Sequence, residues 1–252
     1  MPFDIETVRS QLPHRRIDWH VSLNSTMTEA SRLAAEGCAS GTVVIADEQT
    51  SGRGRHGRAW HSEPDTGLYV SIVLRPALAP EDLPVVTLAL GLATVQAIQN
   101  ITGLACDLRW PNDVLIDSRK CAGILTQMEG PAIIAGIGIN VNQPKFPDEL
   151  SAIATSLRME SGCMHSREHL LVELVLNINY YCTLLERQGR GPIIDLFSRA
   201  SSFVSGRRVE VDLGDGVVRG TTEGLNDAGF LVLRRDNGAH EVVLAGGVRP
   251  CS

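Results

Sequence analysis

The sequence predicts an α+β fold, a mixed or antiparallel sheet backed by helices and followed by a small all-β module. Three observations carry this. Short β-branched runs bounded by Gly, Asp and Asn recur along the chain, as half- or fully buried strands require. Residues 84–101 form one long apolar stretch with few charges, holding Leu88, Leu90, Leu92, Val95, Ile98 and Ile101 at mixed spacings that include three and four, which suggests a largely buried helix. Beyond Ser205 the composition changes to short strand-like runs separated by turns such as Asp236-Asn237-Gly238.

In chain order, Thr26–Ala35 has helix-forming composition, with Asn24 or Ser25 as N-cap and Thr26 with Glu29 as an alternative capping box. Residues 42–46 read as a buried strand, 68–74 as another, and 84–101 as the helix behind them. Residues 108–110, 113–116 and 122–127 read as strands, the last two joined through the turn-rich 117–120. Residues 133–142 form a strand whose Gly136 and Gly138 strip one face of side chains, so something must approach that face. Residues 170–185 and 192–200 read as helices, and residues 209–211, 216–220, 230–233 and 241–244 as strands of a barrel-like appendix. The division expected is residues 1–204 for the main domain and 205–252 for the β module.

A 252-residue chain with 43% hydrophobic residues can bury a sizeable core. The six cysteines show no C-x-x-C pair and no histidine at zinc-ligand spacing, so buried, reduced thiols are expected. No run reaches membrane-spanning length on this reading, and the first twenty residues lack a signal-peptide core, which implies a cytoplasmic protein with no membrane partner. A net charge of −6 argues against nucleic acid, because duplex binding needs an extended basic surface. No DNA partner is expected.

Against that acidic background, Gly52-Arg53-Gly54-Arg55-His56-Gly57-Arg58-Ala59-Trp60 gathers three arginines, three glycines and a tryptophan in nine residues. Glycine lets a backbone approach a ligand closely, and arginine offers a planar fork for phosphate or carboxylate oxygens. The spelling G-x-G-x-x-G also matches the dinucleotide fingerprint. Its context does not, because turn residues and then a strand follow where a helix should open. A plain charged surface loop is the bland alternative.

Further polar groups stand in Arg109-Trp110-Pro111-Asn112-Asp113, in Arg119-Lys120-Cys121-Ala122-Gly123 and in Gly138-Ile139-Asn140-Val141-Asn142. Taken with Gln49 and the Gly/Arg loop, their order and spacing resemble the catalytic domain of biotin protein ligases, from about residue 25 to the C-terminus. The most specific matches are G-R-G-R-x-G-R-x-W at 52–60, W-P-N-D at 110–113 and the Lys120, Ala122, Gly123 group seven residues past Asp113.

The resemblance implies a class II synthetase-like catalytic domain with an SH3-like C-terminal barrel. It implies a two-step ligase in which biotin and ATP give biotinyl-5′-AMP, and biotin then passes to a lysine of a biotin carboxyl carrier domain. Lys120 and Arg55 match the catalytic positions. Ser25, Thr26, Met27, Gln49, Arg53, Gly54, Arg55, Lys120 and Gly123 match the biotin side; Arg53, Arg58, Trp60, Asn112 and Asn140 match the nucleotide side. Asp113 matches the carboxylate for Mg²⁺. Three like charges and three glycines in nine residues predict that the loop from Gln49 to Ser62 is mobile without ligand and orders over the acyl-adenylate.

Each residue also has a bland use: capping for Ser25 and Thr26, a turn for Asn112 and Asp113, a solvated turn for Lys120, a hydrophobic anchor for Trp60. Two departures stand out, Met27 where the family usually has Asn and Arg109 where it usually has Lys. The short segment before residue 25 leads to the expectation of a ligase without a winged-helix repressor domain. Monomer and homodimer both stay open. The rival readings are a lipoate or octanoate ligase of the same fold and a nucleotide-holding interaction module.

Overall fold

The computed structural model describes residues 3–213 and 216–251. The elements run α1 (Ile5–Gln11), β1 (Ile17–Leu23), α2 (Thr26–Ala35), β2 (Val43–Gln49), β3 (Gly67–Leu74), α3 (Leu83–Thr102), β4 (Asp107–Arg109), β5 (Asp113–Ile116), β6 (Arg119–Glu129), β7 (Ala132–Asn140), α4 (Asp148–Ser151), α5 (Leu157–Ser161), α6 (Arg167–Gln188) and α7 (Arg190–Arg199). Five strands follow: β8 (Ser205–Asp212), β9 (Val217–Leu225), β10 (Leu231–Arg234), β11 (His240–Val243) and β12 (Gly247–Pro250).

The first seven strands form one sheet in the order β1-β2-β3-β7-β6-β5-β4. Only β1 and β2 pair in parallel; the other neighbours are antiparallel, so the sheet is mixed as expected. Strand β3 is buried along its whole length, which is why its sequence is a near-continuous apolar run. On β7 the period of two divides the residues between two faces. Ile133, Ala135, Ile137 and Ile139 join the large core with α3, α6 and α7, while Ala132 and Ile134 join a smaller cluster beneath α2. Gly136 and Gly138 continue that second row and leave it open.

Helix α3 corrects one expectation. It is 20 residues long with a mean hydropathy of 1.4, so by length and composition it could span a membrane. Its apolar surface is instead spent inside the molecule: Val85, Ala89, Ala93, Ala97 and Ile98 are fully buried, and it packs on α6, α7 and the sheet. A left-handed Gly103 ends it.

Two other expectations change. Only Cys121 is a fully buried thiol, Cys163 is exposed, and all six cysteines are unpaired. The turn between β5 and β6 is confined to Asp117 and Ser118, both at positive φ, so Lys120 lies inside β6 and not in a turn.

Elements the sequence left unread have weak patterns for physical reasons. Helix α1 buries only Val8 among its residues and starts on Asp4, which accepts from Glu6 N and Thr7 N. Strand β1 is an edge strand with one buried residue, Ile17, so it lacks clean alternation. Strand β12 ends on Pro250 at the edge of the second sheet, where a missing N–H costs nothing.

That second sheet is antiparallel, in the order β11-β10-β9-β8-β12. It alternates buried and exposed residues, and Val209, Val211, Leu231 and Leu233 join the same core as α3 and α7. Trp110 fastens the two sheets together: its Nε1–H donates to Gly229 O at 3.0 Å, and the ring is 3% exposed. Gly229 is left-handed and packed so that a Cβ there would meet Leu88 and Val85 at 3.1–3.2 Å.

Candidate active site

Strand β2 ends at Gln49, and the Gly/Arg loop begins there. The loop is a small hairpin in place of an irregular excursion. Gly54 N donates to Arg58 O at 2.7 Å, Trp60 N to Gly52 O at 2.9 Å, Arg53 bridges Ala59, and Arg55–Gly57 makes a 3-10 turn. The next regular element is the strand β3, so the dinucleotide-fingerprint reading fails on structure as well.

The loop folds back onto the glycine-stripped face of the sheet. Gly123 of β6 and Gly138 of β7 are register partners and together form a hollow. Trp60 fills it: a Cβ on Gly138 would lie 2.4 Å from its Cε2, and one on Gly123 would lie 2.9 Å from its Cζ3. Met27 takes the neighbouring gap, with Sδ 2.4 Å from where a Gly136 Cβ would stand. The face the sequence marked as open is therefore occupied by Trp60 and Met27.

Between these groups lies a small pocket of about 50 Å³. It is lined by Thr26, Met27, Gln49, Arg53, Gly54, Arg55, Trp60, Asn112, Lys120 and Gly123. These come from five separate segments of the chain, all singled out by sequence. Val70, Ile124, Leu125 and Ile137 supply apolar wall that the sequence reading did not assign to the site.

At one end of the pocket the hydrogen bonds form a chain. Gln49 Oε1 accepts from Thr26 N at 2.9 Å and Thr26 Oγ1 at 3.1 Å, while its Nε2 donates to Ser62 Oγ at 3.0 Å. Thr26 Oγ1 also meets Ser71 Oγ at 2.8 Å. Ser71 and Ser62 were missed; the signal for Ser71 was a lone hydroxyl in the apolar run of β3. These bonds replace the capping roles expected from sequence. Ser25 is the N-cap of α2 by backbone only, and Glu29 turns to Arg32 instead of closing a capping box. The Ser25 hydroxyl is buried without a partner among the described residues, as is Trp60 Nε1. A buried polar atom left unpaired costs roughly 1–3 kcal/mol, so both suit contact with a polar ligand.

The other end carries charge. Lys120 Nζ lies 2.5 Å from Asp113 Oδ1 and 5.2 Å from the Trp60 ring centroid. Arg109 donates to Asp113 Oδ2 through Nε at 3.2 Å and Nη2 at 2.7 Å. Burial alone would raise the Asp113 pKa; Lys120 and Arg109 outweigh it and hold the carboxyl below its ordinary value. The Lys120 backbone is clamped on both sides, N donating to Ile153 O at 2.8 Å and O accepting from Thr155 N at 3.0 Å.

Arg55 is half-buried, and desolvation lowers its pKa while Asp113 acts in the opposite sense. Its Nη1 donates to Asn112 Oδ1 at 3.0 Å and to Gly246 O of the β module at 3.2 Å. Asn112 Nδ2 donates in turn to Ile124 O at 2.8 Å.

Four sequence-predicted residues stand apart, the first being Ser25, which is buried and off the pocket wall. Arg58 is exposed and off the pocket wall. Asn140 is buried and spends its Nδ2 on Thr155 O at 3.0 Å. Asp113 has both oxygens engaged by cations. Mg²⁺ needs carboxylate oxygens free of competing positive charge, so the donor set at Asp113 does not fit that ion in this arrangement.

Positive groups converging on a half-polar pocket beside the sheet suit an enzyme that handles an anionic small molecule. Comparison with known proteins makes this particular. Residues 19–143 match the Biotin/lipoate A/B protein ligase family, and residues 204–248 match the Biotin protein ligase C terminal domain. A bifunctional ligase/repressor BirA of Bacillus subtilis (strain 168) is 34% identical over 94% of this chain and 75% of its own length. The biotin--[acetyl-CoA-carboxylase] ligase of Mycobacterium tuberculosis is 32% identical over 98% of this chain and 94% of its own. The biotin protein ligase of Aquifex aeolicus, solved with biotin and ATP, superposes with a TM-score of 0.85 at 29% identity, covering 94% of this chain and 99% of that one. The chain belongs to the biotin protein ligase family, whose members form biotinyl-5′-AMP from biotin and ATP and pass biotin on to protein.

Proposed function

We propose that this chain biotinylates a lysine of a biotin carboxyl carrier domain, acting in the cytoplasm on a biotin-dependent carboxylase. The observation that carries the reading is the convergence of Lys120, Arg53 and Arg55 on one pocket whose far end is the Gln49–Thr26–Ser71 hydrogen-bond chain. The name of the Mycobacterium tuberculosis relative supports acetyl-CoA carboxylase as the acceptor. Six unpaired cysteines suit a reducing compartment. Sheet β8–β12 beginning at Ser205 supports a boundary between domains 1–204 and 205–252.

In the first step the biotin carboxylate attacks the α-phosphorus of ATP, forming a mixed anhydride as pyrophosphate leaves. Two anions must be brought together, so fixed positive charge is needed at both. Lys120 supplies it between carboxylate and phosphate, and Arg53 and Arg55 supply it on the phosphate side. Ser25, Thr26, Met27 and Gln49 hold the ring of biotin, with Gly54 and Gly123 on the wall beside its chain. Trp60 covers the adenine with the ring face not seated on the glycines. Asn112 places Arg55. Mg²⁺, when bound, would neutralise the nucleotide phosphates. In the second step the carrier lysine amine attacks the acyl carbon and AMP departs.

Biotin-dependent exchange of labelled pyrophosphate into ATP tests this. Exchange with biotin and none with lipoate or octanoate is expected. Equal or faster exchange with lipoate would overturn the assignment.

A further inference from the structure

A second, larger cavity of about 430 Å³ opens at the opposite end of the same strands. It shares no residue with the active site. Thr42, which precedes β2, lines it, whereas Gln49 at the other end of β2 lines the active site; seven residues at 3.3 Å each put the two about 20 Å apart.

Its wall carries Arg15, Arg16, Arg75 and His14 against one carboxylate, Glu186. Arg16 has a distant partner in Asp18 at 3.9 Å. Among the described residues, Arg15 and Arg75 have only uncharged acceptors. Arg15 donates to Gly41 O at 3.1 Å and to Asn179 Oδ1, and Arg75 to Cys38 O at 3.3 Å and Ala34 O at 2.9 Å. Most other arginines of this acidic chain are spent on carboxylates, for example Arg9, Arg32, Arg109, Arg119, Arg167 and Arg208.

The two cations are held in place before any ligand arrives. The Arg15 guanidinium rests directly on Gly41, where a Cβ would come within 1.9 Å of its Nη1. Burial depresses the Arg15 pKa, and no carboxylate offsets that cost. Arg75 caps the carbonyls at the end of α2, a favourable place for a cation. That capping uses only its Nε and Nη2, and a guanidinium has five N–H donors, so both side chains keep donors to offer.

We propose that this cavity is an anion site for a phosphate-bearing small molecule, with Arg15 and Arg75 as its cations. A monocarboxylate is matched by a single guanidinium fork, whereas two forks on one cavity match a dianion with three or more acceptor oxygens. The volume exceeds a bare phosphate and leaves room for an organic body.

Calorimetric titration of the full chain with inorganic phosphate at constant ionic strength tests the site, with the active-site anion contacts removed by the double substitution Arg53→Gln, Arg55→Gln. Saturable one-to-one binding should survive in that background and weaken at least tenfold on adding Arg75→Gln. Because Arg15 and Arg75 also tie backbone, Thr183→Glu provides an independent arm. Thr183 is exposed on the cavity wall, and the new carboxylate adds charge without removing a hydrogen bond. It too should weaken binding at least tenfold. No saturation below 10 mM phosphate in the double-substituted background, or an unchanged affinity in the Thr183→Glu protein, would overturn the proposal; sodium acetate binding as tightly as phosphate would overturn the assignment to phosphate.

Discussion

The two ends of β2 and β3 are both lined by arginine, and they hold it in opposite ways. At the Gln49 end, Arg53, Arg55 and Arg58 ride on a glycine-rich hairpin, and Arg55 bonds Asn112 together with a carbonyl of the β module. At the Thr42 end, Arg15 and Arg75 are tied to backbone carbonyls around β2 and α2. The first arrangement can close over a ligand, since glycine keeps the ordering step adjustable and each charged hydrogen bond to an anion contributes roughly 1.5–3 kcal/mol. The second has no hinge of this kind and suits a ligand that meets its cations already in position. Anionic chemistry alone does not dictate how a fold presents positive charge. Whether the charge must move does.

The sharpest break in this comparison is Lys120→Ala, which should lower pyrophosphate exchange by roughly two to three orders of magnitude, the loss typical of one preorganised donor to developing charge. Melting of the variant should stay cooperative, because the backbone bonds of Lys120 to Ile153 and Thr155 do not use the side chain. Retention of most of the exchange rate would remove Lys120 from the chemistry.

Next is Asp113→Asn. It strips Lys120 and Arg109 of their shared counter-ion and should destabilise the fold by about 1–3 kcal/mol at neutral pH. A carboxyl held below its ordinary value contributes stability that is present above about pH 4 and is lost as pH falls through its folded value. Denaturant titrations should therefore show the two proteins converging as pH falls below the ordinary aspartate range. A difference independent of pH would assign the loss to packing.

A smaller effect is expected from Arg55→Gly, which cuts the link from the loop to Asn112 and Gly246. Adenylate formation should persist in part while retention of the intermediate falls about tenfold, one charged hydrogen bond's worth. The readout is biotin on unrelated lysines of an added bystander protein; wild-type levels of bystander labelling would argue against the latch.

The mildest test is limited trypsin digestion with and without biotin plus ATP. Cutting at Arg53, Arg55 and Arg58 should slow several-fold as the loop orders. Cutting at Arg15 and Arg16, beside the second cavity, should not change. Protection at both ends, or at neither, would erase the distinction drawn between them.

Much of the site was legible because its residues are costly for a bland fold. Glycines at alternate positions of β7 open a hollow in the sheet, and a cluster of arginines in an acidic chain needs an anion to face. Arg15 and Arg75 were not legible, since they lie 60 residues apart outside any motif, and only the fold brings residues 14–16, 39–42, 74–76 and α6 to one cavity. Asn140 went the other way: a polar residue in an apolar strand reads as a ligand contact, yet it clamps Thr155. The membrane-length pattern of α3 was likewise decided by what packs against it.

By itself, the sequence determined the mixed sheet with its helices, the β module, the glycine-stripped face and the segments that meet at the active site. These follow from local period and composition, which act over a few residues. The tertiary structure alone decided that Trp60 and Met27 fill the stripped face, that Asp113 is neutralised by Lys120 and Arg109, and that Arg55 reaches the β module. Those are contacts between positions up to 191 residues apart. Long-range pairing depends on which surfaces are left over once every element has buried its apolar face, and no window of sequence contains that information.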